Sequence, residues 1–380
     1  MTADPLIIVG TGSAGYGLLR AIRQADLGGE ILIVTADEGA SYSKSQLLDG
    51  VARGKEAGDL VIATADQMAH RYEATVLAHT RALAIDRERR VLLTSRGDFR
   101  YARLVLATGA EPLRPPVLRG TAADKVLTVS SLSDYRYFRH QLAGRQRVAI
   151  LGGSAAGCEF ADHLQRAGCA VYLFEAGSRL LVERLPALCA SRLAQRLAGA
   201  GVHVLLEQGV HRVDHGVDGL ELTMLSGERM TVDVVLSLQG VRPRTGLAAR
   251  AGLEVRRGIV ADLELRTSDP DIRALGRCAE IAGRPFSHPD DTAAASHVLA
   301  RILAGGRARM VWAPRARHLQ LSSCPLVLCD APPVPGEWVE TATRGGVTAR
   351  YLDGRGILRG FVLMGDAVSM AERLSAQLAG

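Results

Sequence analysis

Lysine is scarce in this chain, occurring only at Lys44, Lys55 and Lys125; every other basic residue is arginine. The arginines are scattered through helical and turn patterns, so the net charge of +6 forms a diffuse field rather than one basic block. The densest stretch, RARMVWAPRAR (307–317), contains no acid and reads as a solvated linker or a docking patch for an acidic partner. Aromatic residues are only 4% of the chain, which argues against stacking surfaces for nucleic acid. No run approaches the ~18 apolar residues of a membrane span. The opening MTADPLIIVG has no basic stretch before its apolar one, so no signal peptide is read and a cytoplasmic protein is expected. None of the cysteines forms C-x-x-C or has zinc-finger spacing. The two in CPLVLC (324–329) lie in a strand-type run, where residues five apart face opposite sides, so structural thiols are expected.

What the chain does contain is one device written twice. In PLIIVGTGSAGYGLLRAIRQA an apolar strand runs into Gly10-x-Gly12-x-x-Gly15 and then a helix pattern, with Ser13 and Ala14 inside the turn. The first glycine permits the turn, the second lets backbone approach a pyrophosphate, and the third lets helix pack on strand. The helix start offers unpaired N–H groups and a positive dipole end to phosphates. A second strand, EILIVTADE, ends in acids at the distance expected for a ribose contact; Asp37 is placed for it, and Glu38 is the near alternative. The second copy, RVAILGGSAAGCEFADHLQRAGCAVYLFEAG, has Gly152, then Ser154 in place of the second glycine, then Gly157, and Glu175 at the end of its second strand. An acid there favours NAD over NADP, because it repels a 2′-phosphate. Ser154 takes space where backbone should meet the pyrophosphate and is expected to weaken nucleotide binding. The same stretch nearly spells a nucleophile elbow, but the duplicated fold already explains it. HRVDH (211–215) lacks the glutamate of a zinc helix and reads as a hairpin.

Two such folds joined by YARLVLATGAEP (101–112) resemble the FAD-dependent pyridine-nucleotide reductases and, more narrowly, the NADH:rubredoxin reductases. The resemblance rests on GTGSAGYG, TADEGASYSKSQL, ATGAEP, GCEFADHL, GVRPRTGLA, RRGIVADLELRTS and SCPLVL, in order along almost the whole chain. It implies an α/β protein with two Rossmann-like dinucleotide-binding domains, the second inserted in the first, and a small α+β C-terminal domain. The FAD-binding domain would be 1–112 plus 240–310, the NAD-binding domain 113–239, and the C-terminal domain 311–380. Electrons would pass from NADH through FAD to a small acidic carrier, rubredoxin-like or ferredoxin-like. Thr108 and Gly109 would cover FAD, and Gly240 would line the nicotinamide path. Lys44 matches a lysine beside the flavin ring and Glu159 a glutamate near the nicotinamide; an ion pair between them is expected. No cysteine lies near Lys44, which disfavours a disulfide reductase. In ALGRCAE, after Gly276, the family's flavin-binding aspartate is replaced by Arg277, which implies either a blocked site or a new contact to the FAD pyrophosphate. Asp291 falls at the start of a helix expected to face the flavin, where a carboxylate opposes the reduced ring's charge. The departures at Ser154, Arg277 and Asp291 raise the alternative of a relative that has lost a cofactor and serves as a binding partner.

Overall fold

The apolar tetrads LIIV and ILIV, flanked by glycine turns and helix-forming runs, build a parallel sheet whose strands are covered on both faces. The computed structural model describes residues 4–113, 118–286 and 288–379. Its helices are α1 (Ser13–Gln24), α2 (Lys44–Ala52), α3 (Ala65–Arg71), α4 (Leu132–Leu142), α5 (Ala155–Arg166), α6 (Ala187–Gly199), α7 (Gly246–Arg250), α8 (Pro289–Leu303) and α9 (Ala371–Ala379).

The chain divides into two compact units, the first comprising Met1–Ser43, Val61–Glu111 and Val241–Trp312. Its main sheet orders the strands Ile272–Ala274, Arg103–Leu106, Leu6–Val9, Ile31–Val34 and Thr75–Leu77, all parallel. Helices α1 and α8 pack together, and their apolar faces join the sheet in one core that includes Ile8, Leu18, Ile22, Leu104 and Leu299. The arginine-rich stretch 307–317 carries no helix, and only its last two residues enter a strand, Ala316–Leu319. Its part up to Trp312 belongs to the first unit, where Met310 is buried and the Trp312 ring lies 5.4 Å from Phe286 with the Arg284 guanidinium 4.7 Å from its centre.

The second unit comprises Lys44–Leu60, Pro112–Gly240 and Ala313–Gly380. A four-stranded parallel sheet orders His203–Leu205, Ala170–Phe174, Arg147–Leu151 and Val234–Ser237. HRVDH lies in the strand Val210–Gly216, which turns back at once into Gly219–Met224, a hairpin extended by Arg229–Val232. The C-terminal residues form an antiparallel five-stranded sheet with α9 against one face, around Phe361, Leu363 and Leu374. Segment 44–60, counted with the FAD-binding portion in the sequence reading, groups instead with the second unit, because α2 packs on α5. The C-terminal residues group there too, although they keep a core of their own.

Candidate functional site

In the first unit the strand Leu6–Val9 delivers the chain to the glycine turn. A Cβ on Gly15 would collide with Gly10 O, so α1 can begin this close to the strand only with glycine there. At Gly12 a Cβ would meet nothing within 4 Å, which leaves the backbone open on its outer side. Gly12 is also the N-cap and supplies no side-chain acceptor, so the first-turn N–H groups of α1 keep their capacity for an anion. Ser13 is exposed, while Ala14 is buried. Exposed Asp37 is held by a local network: Oδ1 accepts from Thr35 Oγ1 at 2.7 Å, Gly39 N at 3.0 Å and Thr11 Oγ1 at 3.3 Å. Glu38 is half-buried beside it. Thr108 Oγ1 donates to Arg244 O at 2.8 Å, and Arg244 N donates to Gly109 O at 2.9 Å, which fastens the ATGAEP turn.

The ALGRCAE stretch forms a short 3-10 turn, Gly276–Cys278. Gly276 has φ +75, and a Cβ on it would lie 2.7 Å from that of Ala14, so this turn sits against the first turn of α1. Arg277 comes next and is exposed. At the start of α8, His288 is the N-cap, its Nδ1 accepting from Asp290 N at 3.1 Å. Asp290 and Asp291 occupy the first turn, where carboxylates favour the helix dipole; Asp291 is buried, with 5% of its surface exposed.

The second unit repeats the turn with different fittings. A Cβ on Gly157 would collide with Gly152 O, as at the first turn. Ser154 is the N-cap of α5: its Oγ accepts from Gly157 N at 3.1 Å and donates to Leu238 O at 2.6 Å. The hydroxyl therefore points back into the protein, a role that a serine just before a helical run advertises. Glu175 closes the loop, with Oε2 accepting from Gly153 N and Oε1 from Gly177 N, both at 2.7 Å. Gly240, exposed, accepts at its carbonyl from Leu113 N at 2.9 Å.

Lys44 opens α2 and is exposed, whereas Glu159 on α5 is 2% exposed. Glu159 Oε1 accepts from Gln320 N at 2.7 Å, and Oε2 has no hydrogen-bond partner. Burial pushes the Glu159 carboxyl above the ordinary range, opposed by the Gln320 N–H and by the charges of Arg317 and His163. Asp162 and His163, which sequence reasoning did not single out, bind the same segment as Glu159; their partners there lie about 160 residues away, and no local pattern announces them. All six cysteines are free, and burial pushes the Cys158 thiol, next to Glu159, far up. Among the described residues no helix is long and apolar enough to cross a membrane.

Residues 4–297 match the model of the pyridine nucleotide-disulphide oxidoreductase family. The chain belongs to this family. Residues 320–378 match a second model, the rubredoxin binding C-terminal domain. Among similar reductases of known name, the rubredoxin-NAD(+) reductase of Alcanivorax borkumensis is 37% identical over 98% of this chain and 98% of its own. The nitric oxide reductase FlRd-NAD(+) reductase of Vibrio vulnificus is 34% identical over 99% of this chain and 98% of its own. Among solved structures, a putidaredoxin reductase–putidaredoxin complex matches with TM-score 0.90 at 24% identity, over 100% of this chain and 94% of that one. The NADH:rubredoxin oxidoreductase of Clostridium acetobutylicum matches with TM-score 0.83 at 19% identity, over 99% and 94%. At these identities the two structures speak for the reductase fold alone.

Proposed function

We propose that this chain is an FAD-dependent NADH oxidoreductase that reduces a small acidic iron-containing carrier of the rubredoxin or ferredoxin kind. The observation that carries the reading is the open turn at Gly12: exposed backbone, uncapped helix start and an acid at the end of the next strand, in a member of a pyridine-nucleotide family. FAD, when bound, accepts the hydride and releases electrons singly to the carrier. The chain's own residues bind and orient.

In the first unit, Gly10, Gly12, Ser13, Ala14 and Gly15 would bring α1 to the pyrophosphate. Asp37, with Glu38 adjacent, would take ribose hydroxyls, and Thr108, Gly109 and Gly276 would shape the cover. We assign Arg277 to the FAD pyrophosphate, because its turn packs on the first turn of α1 and its side chain is exposed. Asp291 would serve the start of α8. In the second unit, Gly152, Ser154, Gly157 and Gly240 would form the NADH turn, with Ser154 capping the helix rather than obstructing it, and Glu175 would select NADH. Lys44 and Glu159 would balance charge during hydride transfer. The residues matching the rubredoxin-binding model would carry the docking surface.

A cytoplasmic location goes with this reading, and cell fractionation tests it. The test of function is a visible spectrum of the purified protein with added FAD, then NADH, then an oxidised rubredoxin. A flavin band that bleaches with NADH and recovers with rubredoxin is expected. A protein that takes up no flavin, or whose flavin ignores NADH, overturns the proposal in favour of a binding partner that has lost its cofactor.

A further inference from the structure

Helix α5 carries three ionisable side chains that are almost fully buried: Glu159, Asp162 and His163 are 2%, 1% and 3% exposed. All three are turned on the main chain of one short segment. Glu159 Oε1 accepts from Gln320 N at 2.7 Å; Asp162 Oδ2 and Oδ1 accept from Ser322 N at 2.8 Å and Ser323 N at 3.2 Å. His163 Nε2 lies 2.8 Å from Gln320 O, so both polar atoms of this residue's main chain are gripped from α5. The other ring nitrogen, Nδ1, lies 3.1 Å from Leu48 O in α2.

A carbonyl oxygen only accepts, and a neutral imidazole has one N–H to give. A neutral ring here would satisfy one carbonyl and set its lone pair against the other, on a side chain that is only 3% exposed. We propose that His163 carries a proton on both ring nitrogens, and that this buried cation is the positioning group that holds Glu159 and α2 in register for the reductase reaction. The protonation stands on the hydrogen-bond geometry; its bearing on catalysis rests on the proposed reductase reading.

The elements that hold the ring carry charges of both signs. Its own helix supplies Glu159, one turn earlier, and Asp162, with Arg166 one turn later. The strand Ala316–Leu319 carries Arg317 and an exposed His318, and α2 carries an exposed Lys44 and Asp49, the latter paired with Arg53 at 2.8 Å. Glu159 follows the glycine turn of the second nucleotide fold by two residues, so it belongs to the helix end that would receive NADH. With Oε1 held by Gln320, the buried Oε2 is left with no hydrogen-bond partner. A cation at His163 keeps charge on that carboxylate against the burial that favours its neutral form.

The test uses the full chain with isotopically labelled histidine rings, studied by NMR at neutral pH; the signals lost in His163→Gln identify the ring. Two protonated ring nitrogens are expected. One protonated and one bare nitrogen overturns the proposal, whether or not the protein oxidises NADH. His163→Gln can keep a donor for Gln320 O and His163→Asn one for Leu48 O, but neither carries charge. Each is expected to raise KM for NADH roughly tenfold, the scale of one charge-assisted hydrogen bond, with flavin content retained. Unchanged KM in both variants at normal flavin content refutes the positioning role. An unmutated chain that never oxidises NADH refutes the reductase reading and that role with it, while the ring signals still decide the protonation.

Discussion

Arg277 follows a glycine that has no room for a side chain, so its own backbone is fixed beside the start of α1. If its guanidinium meets the FAD pyrophosphate, Arg277→Ala removes a charge-assisted contact worth about 1.5–3 kcal/mol. FAD affinity, measured by titration of apoprotein, should then fall by about ten- to a hundredfold; unchanged affinity would take Arg277 out of the cofactor's contacts. Glu159 gives a prediction in pH. Burial raises its carboxyl in the folded chain above the unfolded value. A raised carboxyl contributes stability that is complete below about pH 4, the unfolded value, and is lost as pH rises through the folded one. Glu159→Gln does not ionise, so its stability relative to the unmutated protein should improve as pH rises above about 4 in urea unfolding. A constant difference across that range would show that the carboxyl is not raised.

At the scale of elements, the ends of helices decide what the sequence discloses. The start of α6 has Pro186 as N-cap, which offers no side-chain acceptor. Glu340, from the strand Gly336–Ala342, fills the role: Oε1 accepts from Cys189 N at 3.0 Å and Oε2 from Leu188 N at 3.2 Å. Glu340→Ala should cost about 1–2 kcal/mol, as a lost cap does, read from the urea midpoint; an unmoved midpoint would mean that water replaces the carboxylate at no cost. Both glycine turns are legible in the sequence because strand, turn and helix are contiguous and their chemistry is local. Ser154 is legible too, as a cap, although the glycine pattern alone makes it look like an obstruction. The cap from Glu340, the grouping of 44–60 with the second unit and the grip of Asp162 and His163 are not legible. Each depends on residues brought together over long sequence separations, and neither periodicity nor turn chemistry encodes such pairings.

For the whole molecule, the net charge of +6 and the predominance of arginine favour encounter with an acidic carrier, mainly through the association rate. Raising salt from about 0.05 M to about 0.5 M shortens the Debye length roughly threefold and should raise KM for the carrier several-fold, with KM for NADH much less affected. Equal salt dependence for both substrates would argue against long-range steering. The hold of α5 on segment 320–323 has another consequence. Glu159, Asp162 and His163 all address main-chain atoms there, while Arg166 Nη1 donates to the Ser322 hydroxyl at the exposed margin. The hydrogen bonds of the seam therefore read mainly a backbone trace, with Leu321 buried beside them. A terminal domain grafted from a relative with a different carrier should keep this seam so long as it also supplies the carboxylate of Glu340 that caps α6, and the melting temperature of such a chimera would show it.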